Sequence, residues 1–86
     1  MYKVALLPKA EKAFARADAT LARKLARCFQ SLEVDPLRHP NIKPLLGPLK
    51  GLFRFRIGDY RIVYWIDAGN KTVYVVRIVH RKEAYE

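Results

Sequence analysis

The run Leu52-Phe53-Arg54-Phe55-Arg56-Ile57-Gly58-Asp59-Tyr60-Arg61-Ile62-Val63-Tyr64 decides how this chain folds. Apolar and charged side chains alternate on both sides of a Gly-Asp pair, which is the period of two half-buried strands joined by a tight turn. Glycine supplies the positive φ that a two-residue hairpin loop requires. With Ile57 and Tyr60 closing the turn as a pair, Arg56 stands opposite Arg61 and Arg54 opposite Val63. Cross-strand partners share a face. Arg54, Arg56 and Arg61 therefore gather on one side, and Phe53, Phe55, Ile57, Tyr60, Ile62, Tyr64 and Ile66 take the other, which something must cover.

Downstream, Tyr60 to Asp67 completes the second strand, Asp67-Ala68-Gly69-Asn70 marks a turn, and Thr72 to Val79 is almost all β-former. A three-residue loop at that turn places Arg77 beside Arg61. A one-residue slip sends Arg77 inward. An arginine buried without a partner is expensive, so the outward register is expected. Arg81 extends the patch beyond the strand end, and Val63 and Trp65 share the arginine face, where a nucleobase could lie. Like charges directly opposed destabilise a sheet, so the cluster calls for an anion, and the planar fork of arginine suits phosphate oxygens better than the point charge of lysine.

Upstream, Tyr2 to Leu7 reads as a short strand. Pro8 suits the first turn of a helix, where its missing N–H is not needed, and Ala10, Ala13, Phe14 and Ala17 follow at helical spacing. Asp18 is placed to cap a second helix. Leu21, Leu25, Cys28, Phe29 and Leu32 form one apolar stripe on it, with Arg23, Lys24 and Arg27 on other faces. Asp35-Pro36 ends that helix, and the proline-punctuated stretch through Gly51 reads as a semi-extended loop that includes His39. The expected architecture is α+β, in the order β-α-α-β-β-β, with two N-terminal helices packed on one face of a small antiparallel sheet.

Eighty-six residues make a single domain, 1–86. One cysteine, Cys28, excludes an internal disulfide, gives no metal-ligand spacing, and falls on the apolar stripe, where it is expected to be core. No signal peptide and no apolar run long enough to span a bilayer is visible, so a soluble, cytoplasmic protein with no membrane partner is expected. The formal net charge is +9, and Pro36 to Gly58 holds five cations (Arg38, Lys43, Lys50, Arg54, Arg56) and no acid. Such a balance suits a polyanionic partner: nucleic acid, an anionic membrane or an acidic protein. No Ser/His/Asp or Cys/His pairing and no Gly-rich phosphate loop is present.

The segment Leu49-Lys50-Gly51-Leu52 through Tyr64, and above all Gly58-Asp59-Tyr60-Arg61-Ile62-Val63-Tyr64, resembles the central motif of the RelE/ParE toxin superfamily. The ending Val76-Arg77-Ile78-Val79-His80-Arg81-Lys82-Glu83-Ala84-Tyr85 resembles the closing strand and terminal tyrosine of its RelE branch. The resemblance spans essentially the whole chain. It implies a RelE-like fold and the toxin of a type II toxin–antitoxin module: an endoribonuclease that cleaves messenger RNA at the ribosomal A site, without metal or cofactor, and is held in check by a cognate antitoxin. It also implies attack by a ribose 2′-OH on the adjacent phosphate, with Arg54, Arg56, Arg61, Arg81 and Tyr85 as the catalytic set; Lys50, Trp65, Arg77 and Lys82 are expected as further RNA contacts on the same basic surface. Within that scheme Arg61, Arg54 and Arg56 hold the phosphate, Arg81 sits near the leaving 5′-oxygen, and Tyr85 stacks on a base. Arginine stays protonated and makes a poor general base. Lys50 and His80 are the titratable neighbours, although strand alternation puts His80 on the helix side. The same resemblance admits a ParE-like toxin that inhibits DNA gyrase with no RNA chemistry. A catalytically silent module that binds nucleic acid or the ribosome is the third reading.

Overall fold

A computed structural model describes residues 1–83. Its elements are β1 (Lys3–Leu6), α1 (Pro8–Ala15), α2 (Ala19–Val34), β2 (Ile42–Pro44), β3 (Phe53–Ile57), β4 (Tyr60–Asp67) and β5 (Thr72–His80), with single 3-10 turns at Gly47–Leu49 and Arg81–Glu83.

Local chemistry sets the helix starts. Pro8 occupies the first turn of α1, and the Leu21 N–H donates to Asp18 Oδ1 at 2.8 Å, capping α2. The expected stripe then faces the sheet. Leu25, Cys28 and Leu32 are buried against Phe55, Ile62, Tyr64, Val73, Val75 and Ile78, with Ala10 of α1 completing the core and Leu21 and Phe29 at its margin. Arg23, Lys24 and Arg27 stay exposed. Tyr64 is fully buried. Its hydroxyl donates to the Pro36 carbonyl at 2.7 Å and so ties the exit of α2 to the middle of the sheet. Burial, then the neighbouring Cys28 and Asp35, raises its phenol above the usual range.

Burial also pushes the Cys28 thiol up to about 12. The thiolate is the form that attacks alkylating reagents, so Cys28 should resist iodoacetamide in the native protein at about pH 8 and react promptly once the chain is denatured. Fast labelling of the native protein would mean that the α2 stripe does not pack on the sheet.

The two helices do cover one face of the sheet, but the sheet is larger than expected and mixed. Its order is β1-β5-β4-β3-β2. β1 lies parallel to β5, whereas the remaining pairs are antiparallel. β2 forms inside the proline-rich stretch expected to be a loop. It pairs Ile42, Lys43 and Pro44 with Phe55, Arg54 and Phe53. A strand ending on proline is tolerable because β2 is an edge, where a missing N–H removes no ladder bond on the open side.

The hairpin register is the expected one, with Ile57 against Tyr60, Arg56 against Arg61 and Arg54 against Val63. Gly58 has φ +53° in the turn, a conformation that a side chain would strain. The next turn differs. Asp67 pairs with Thr72, which leaves four loop residues rather than three. The Asp67 carboxylate holds that loop, accepting from the Asn70 N–H at 3.2 Å and from the Asn70 side-chain amide at 2.9 Å, and Lys71 takes the left-handed φ of 49°. The longer loop alone would turn Arg77 inward against Ile62. A bulge intervenes: Tyr64 pairs with Val75 but Val63 pairs with Arg77, so Val76 is the extra residue and Arg77 points outward again.

Candidate nucleic-acid interface

The sheet face away from the helices is built in rows of cross-strand neighbours. One row runs Lys43, Arg54, Val63, Arg77 across β2, β3, β4 and β5. The next runs Arg56, Arg61, Val79. Five cations from four strands thus surround two valines. Two residues along β4 from Val63, or about 7 Å, Trp65 stacks on its partner Tyr74 with ring centroids 4.7 Å apart. Trp65 is 38% exposed, so part of its ring surface remains open beside the cationic rows.

The cations share one electrostatic environment. Desolvation, and then the charges of Arg56 and Arg61, lower the Arg54 guanidinium from its usual value. Arg54 is also positioned, since its Nη1 donates to the Asn41 carbonyl at 2.8 Å. The same carbonyl accepts the Arg56 N–H at 3.0 Å, and the Asn41 side-chain amide donates to the Arg56 carbonyl at 3.1 Å. Asn41 therefore fastens the start of β2 to the strand that carries two of the arginines.

Arg81 follows β5 directly. Its N–H donates to the Asp59 carbonyl at 2.6 Å, and its guanidinium lies 3.6 Å from the Asp59 carboxylate. This places Arg81 at the Gly58-Asp59 end of the hairpin, the same end as Arg56 and Arg61. Both partners are well exposed, so the pair holds Arg81 weakly and leaves it available to a stronger anion.

The structure thus brings Arg54, Arg56, Arg61 and Arg77 onto one face with Trp65 at its margin, and Arg81 to its end. Arg77 stands opposite Val63, not beside Arg61 as the three-residue loop implied. Lys82 is exposed in the terminal 3-10 turn, and Lys50 is exposed after the turn at Gly47–Leu49, outside both rows. His80 faces the helix side as alternation requires: it pairs with Tyr60, contacts that ring edge-on at 5.1 Å, and accepts the Lys82 N–H on Nδ1 at 3.2 Å. Tyr85 lies outside the described residues. Sequence reasoning did not place Lys43 in the site, because its membership depends on β2 forming. It gave no signal for Asn41, whose role is carried by its backbone carbonyl and side-chain amide. Among the described residues no group of three or more His, Cys, Asp or Glu is placed to hold a metal ion, and no helix is long and apolar enough to cross a membrane.

Comparison with known proteins gives this face a context. Residues 4–85 match the family described as ParE toxin of the type II toxin–antitoxin system parDE. The chain is 35% identical over 86 residues to toxin RelE of Mycobacterium tuberculosis, covering 98% of this chain and 86% of that toxin. It is 40% identical over 65 residues to toxin RelG of the same organism, covering 76% of this chain and 72% of the relative. Among solved structures it is similar to a chain of the M. tuberculosis toxin–antitoxin complex RelBE2, with a TM-score of 0.82 and 31% identity, covering 93% of this chain and 98% of the other.

Proposed function

This chain belongs to the ParE toxin family of type II toxin–antitoxin systems, within the RelE/ParE superfamily, and we propose that it acts as an endoribonuclease cutting messenger RNA at the ribosomal A site. The observation that carries this reading is the pair Arg56–Arg61, set directly opposite each other with Arg54 and Arg77 in the adjoining row. Such an arrangement is unfavourable in the free protein and becomes favourable when a phosphate lies over it. The names of the two mycobacterial relatives, RelE and RelG, support the nuclease branch.

In this scheme the 2′-oxygen gives up its proton and attacks the adjacent phosphorus, the bond from phosphorus to the 5′-oxygen breaks, and that oxygen takes a proton from solvent, so the products are a 2′,3′-cyclic phosphate and a 5′-hydroxyl. Arg61, Arg56 and Arg54 bind the non-bridging oxygens and stabilise the charge that grows on them. Arg81, loosely held by Asp59, moves onto the leaving 5′-oxygen. Arg77 and Lys43 hold neighbouring phosphates, and Trp65 supports a base. Lys50, Lys82 and Tyr85 complete the RNA contacts, with Tyr85 stacking to hold the strand in line for attack. The arginines remain protonated throughout, so the group that accepts the 2′ proton is not one of them. The partner that silences this surface is an antitoxin, acidic or amphipathic, since the RelBE2 neighbour was solved as a toxin–antitoxin complex and the net charge to be matched is +9.

A second reading is favoured by the family description itself, which names ParE: a toxin that inhibits DNA gyrase without cutting RNA. Incubating the protein with translating ribosomes and mapping messenger ends separates the two. Cuts within the A-site codon, ending in a 2′,3′-cyclic phosphate, are expected. Intact message together with inhibited supercoiling would transfer the assignment to gyrase.

A further inference from the structure

Behind β3, on the helix side, a cleft of about 320 Å³ opens between α2 and the segment that leads into β2. It is lined by Lys24 and Arg27 of α2, by His39 and Asn41 ahead of β2, and by Phe55 and Arg56 of β3. The His39 ring lies near Phe55, centroid to centroid 4.6 Å. Its Nδ1 accepts the Asn41 N–H at 3.0 Å, so in the neutral ring Nε2 carries the proton. Among the described residues, no acidic one lines this cleft. An aromatic base with cations at the rim matches the two halves of a nucleotide, a flat ring and a phosphate. The volume is at the lower end of the roughly 300–1,000 Å³ typical of small-ligand clefts, room for one nucleotide.

The cleft is also tied to the arginine rows. Asn41, in its wall, hydrogen-bonds Arg54 and Arg56. β2 pairs with β3 only as far as Phe55, which leaves the Ile57–Gly58 end of β3 open for a strand to pass round. We propose that this cleft binds a single-stranded RNA nucleotide flanking the phosphate held by the arginine rows, with its base against the exposed His39 ring, which the buried Phe55 backs, and its phosphate on Lys24 and Arg27. The proposal rests on the arginine face being an RNA site. It adds a second contact on the other side of the same strand.

The test uses non-cleavable 2′-O-methyl oligonucleotides, a dimer and a hexamer, whose binding is followed by fluorescence anisotropy across a salt series. The wild-type chain should bind the hexamer tighter than the dimer by about tenfold or more, from one stacked base and its phosphates. The double variant Lys24→Ala/Arg27→Ala should lose that advantage and lower the slope of log K against log salt by about 0.7, the value for one phosphate contact. The charge-matched control Arg16→Ala/Arg23→Ala alters two exposed positions, one just after α1 and one on α2, that do not line the cleft, and should change both quantities far less. Lys24→Arg/Arg27→Lys should bind like the wild type, and thermal melts report whether each variant is folded. Equal losses from both alanine pairs would overturn the proposal in favour of a general cationic field. Unchanged hexamer binding with lost binding of adenosine monophosphate would assign the cleft to free nucleotides, and unchanged hexamer binding with lost binding of a polyglutamate peptide would assign it to a protein partner; either overturns it. Cleavage is not read in this experiment, so an intact message in the ribosome assay would sink the nuclease reading alone, and a cleft-independent hexamer would sink this one alone.

Discussion

Replacing Arg61 by alanine is expected to lower messenger cleavage by about 10²- to 10³-fold, the loss typical of removing one donor to a developing anion, while leaving the melting temperature within a few degrees of wild type. The two halves of that expectation have separate causes. Arg61 is on the outer face, half-buried among neighbouring stems rather than in the core cluster. Its strand neighbours are Arg56 on one side and Val79 on the other. Truncation removes some stem packing over Val79 and relieves a like-charge opposition worth a few tenths to about 1 kcal/mol, and the two effects oppose each other. Activity should have no such compensation, because in the proposed scheme Arg56 and Arg54 approach the phosphate from β3 and Arg61 from β4. Arg61→Lys should recover part of the rate, since a point charge replaces one hydrogen bond of the fork but not the planar pair. The measurements are single-turnover cleavage on programmed ribosomes and a thermal melt. A folded Arg61→Ala protein that cleaves at the wild-type rate would remove the arginine rows from the mechanism.

The central part of this site is legible in the sequence because strand alternation is a strong constraint. Once Gly58-Asp59 is taken as a two-residue turn, the facing of Arg54, Arg56 and Arg61 follows with no further information, and so does the burial of Phe55, Ile62 and Tyr64. Facing is harder to read wherever the register depends on non-local structure. Arg77 illustrates this. The Asp67–Asn70 hydrogen bonds lengthen the turn by one residue and the bulge at Val76 adds another, so its outward direction survives while its row changes. Neither effect has a pattern in the β5 residues alone. β2 is illegible for another reason: three residues flanked by prolines carry too little periodicity, and the pairing is specified by the strand they meet. Lys43 enters the site only through that pairing. The parallel docking of β1 on β5 joins residues from opposite ends of the chain, a distance at which local sequence says nothing.

The neighbour of Arg61 in sequence gives the complementary prediction. Ile62→Ala should leave the arginines chemically intact and cost the fold about 3 kcal/mol, within the 2–5 kcal/mol seen when a buried isoleucine or leucine is cut to alanine. Ile62 is fully buried, and it pairs with Phe55 on one side and Ile78 on the other, under α2. Its loss would open a void bounded by both strands and by the Leu25–Leu32 stripe, a site with little freedom to collapse because the sheet is held on both sides of it. For a domain of this size that destabilisation corresponds to about 12–24 °C of melting temperature, a large share of the roughly 5–15 kcal/mol that keeps such domains folded. Per folded molecule, cleavage at low temperature should stay within a few-fold of wild type, because the rows are positioned by backbone pairing that the substitution does not touch. Adjacent residues would then separate cleanly, one governing turnover and the other stability. A register slipped by a single residue would exchange them, with Arg61→Ala unfolding the domain and Ile62→Ala melting normally. The pair of melts is therefore a direct solution test of which face of β4 meets the helices, and it requires no knowledge of the substrate.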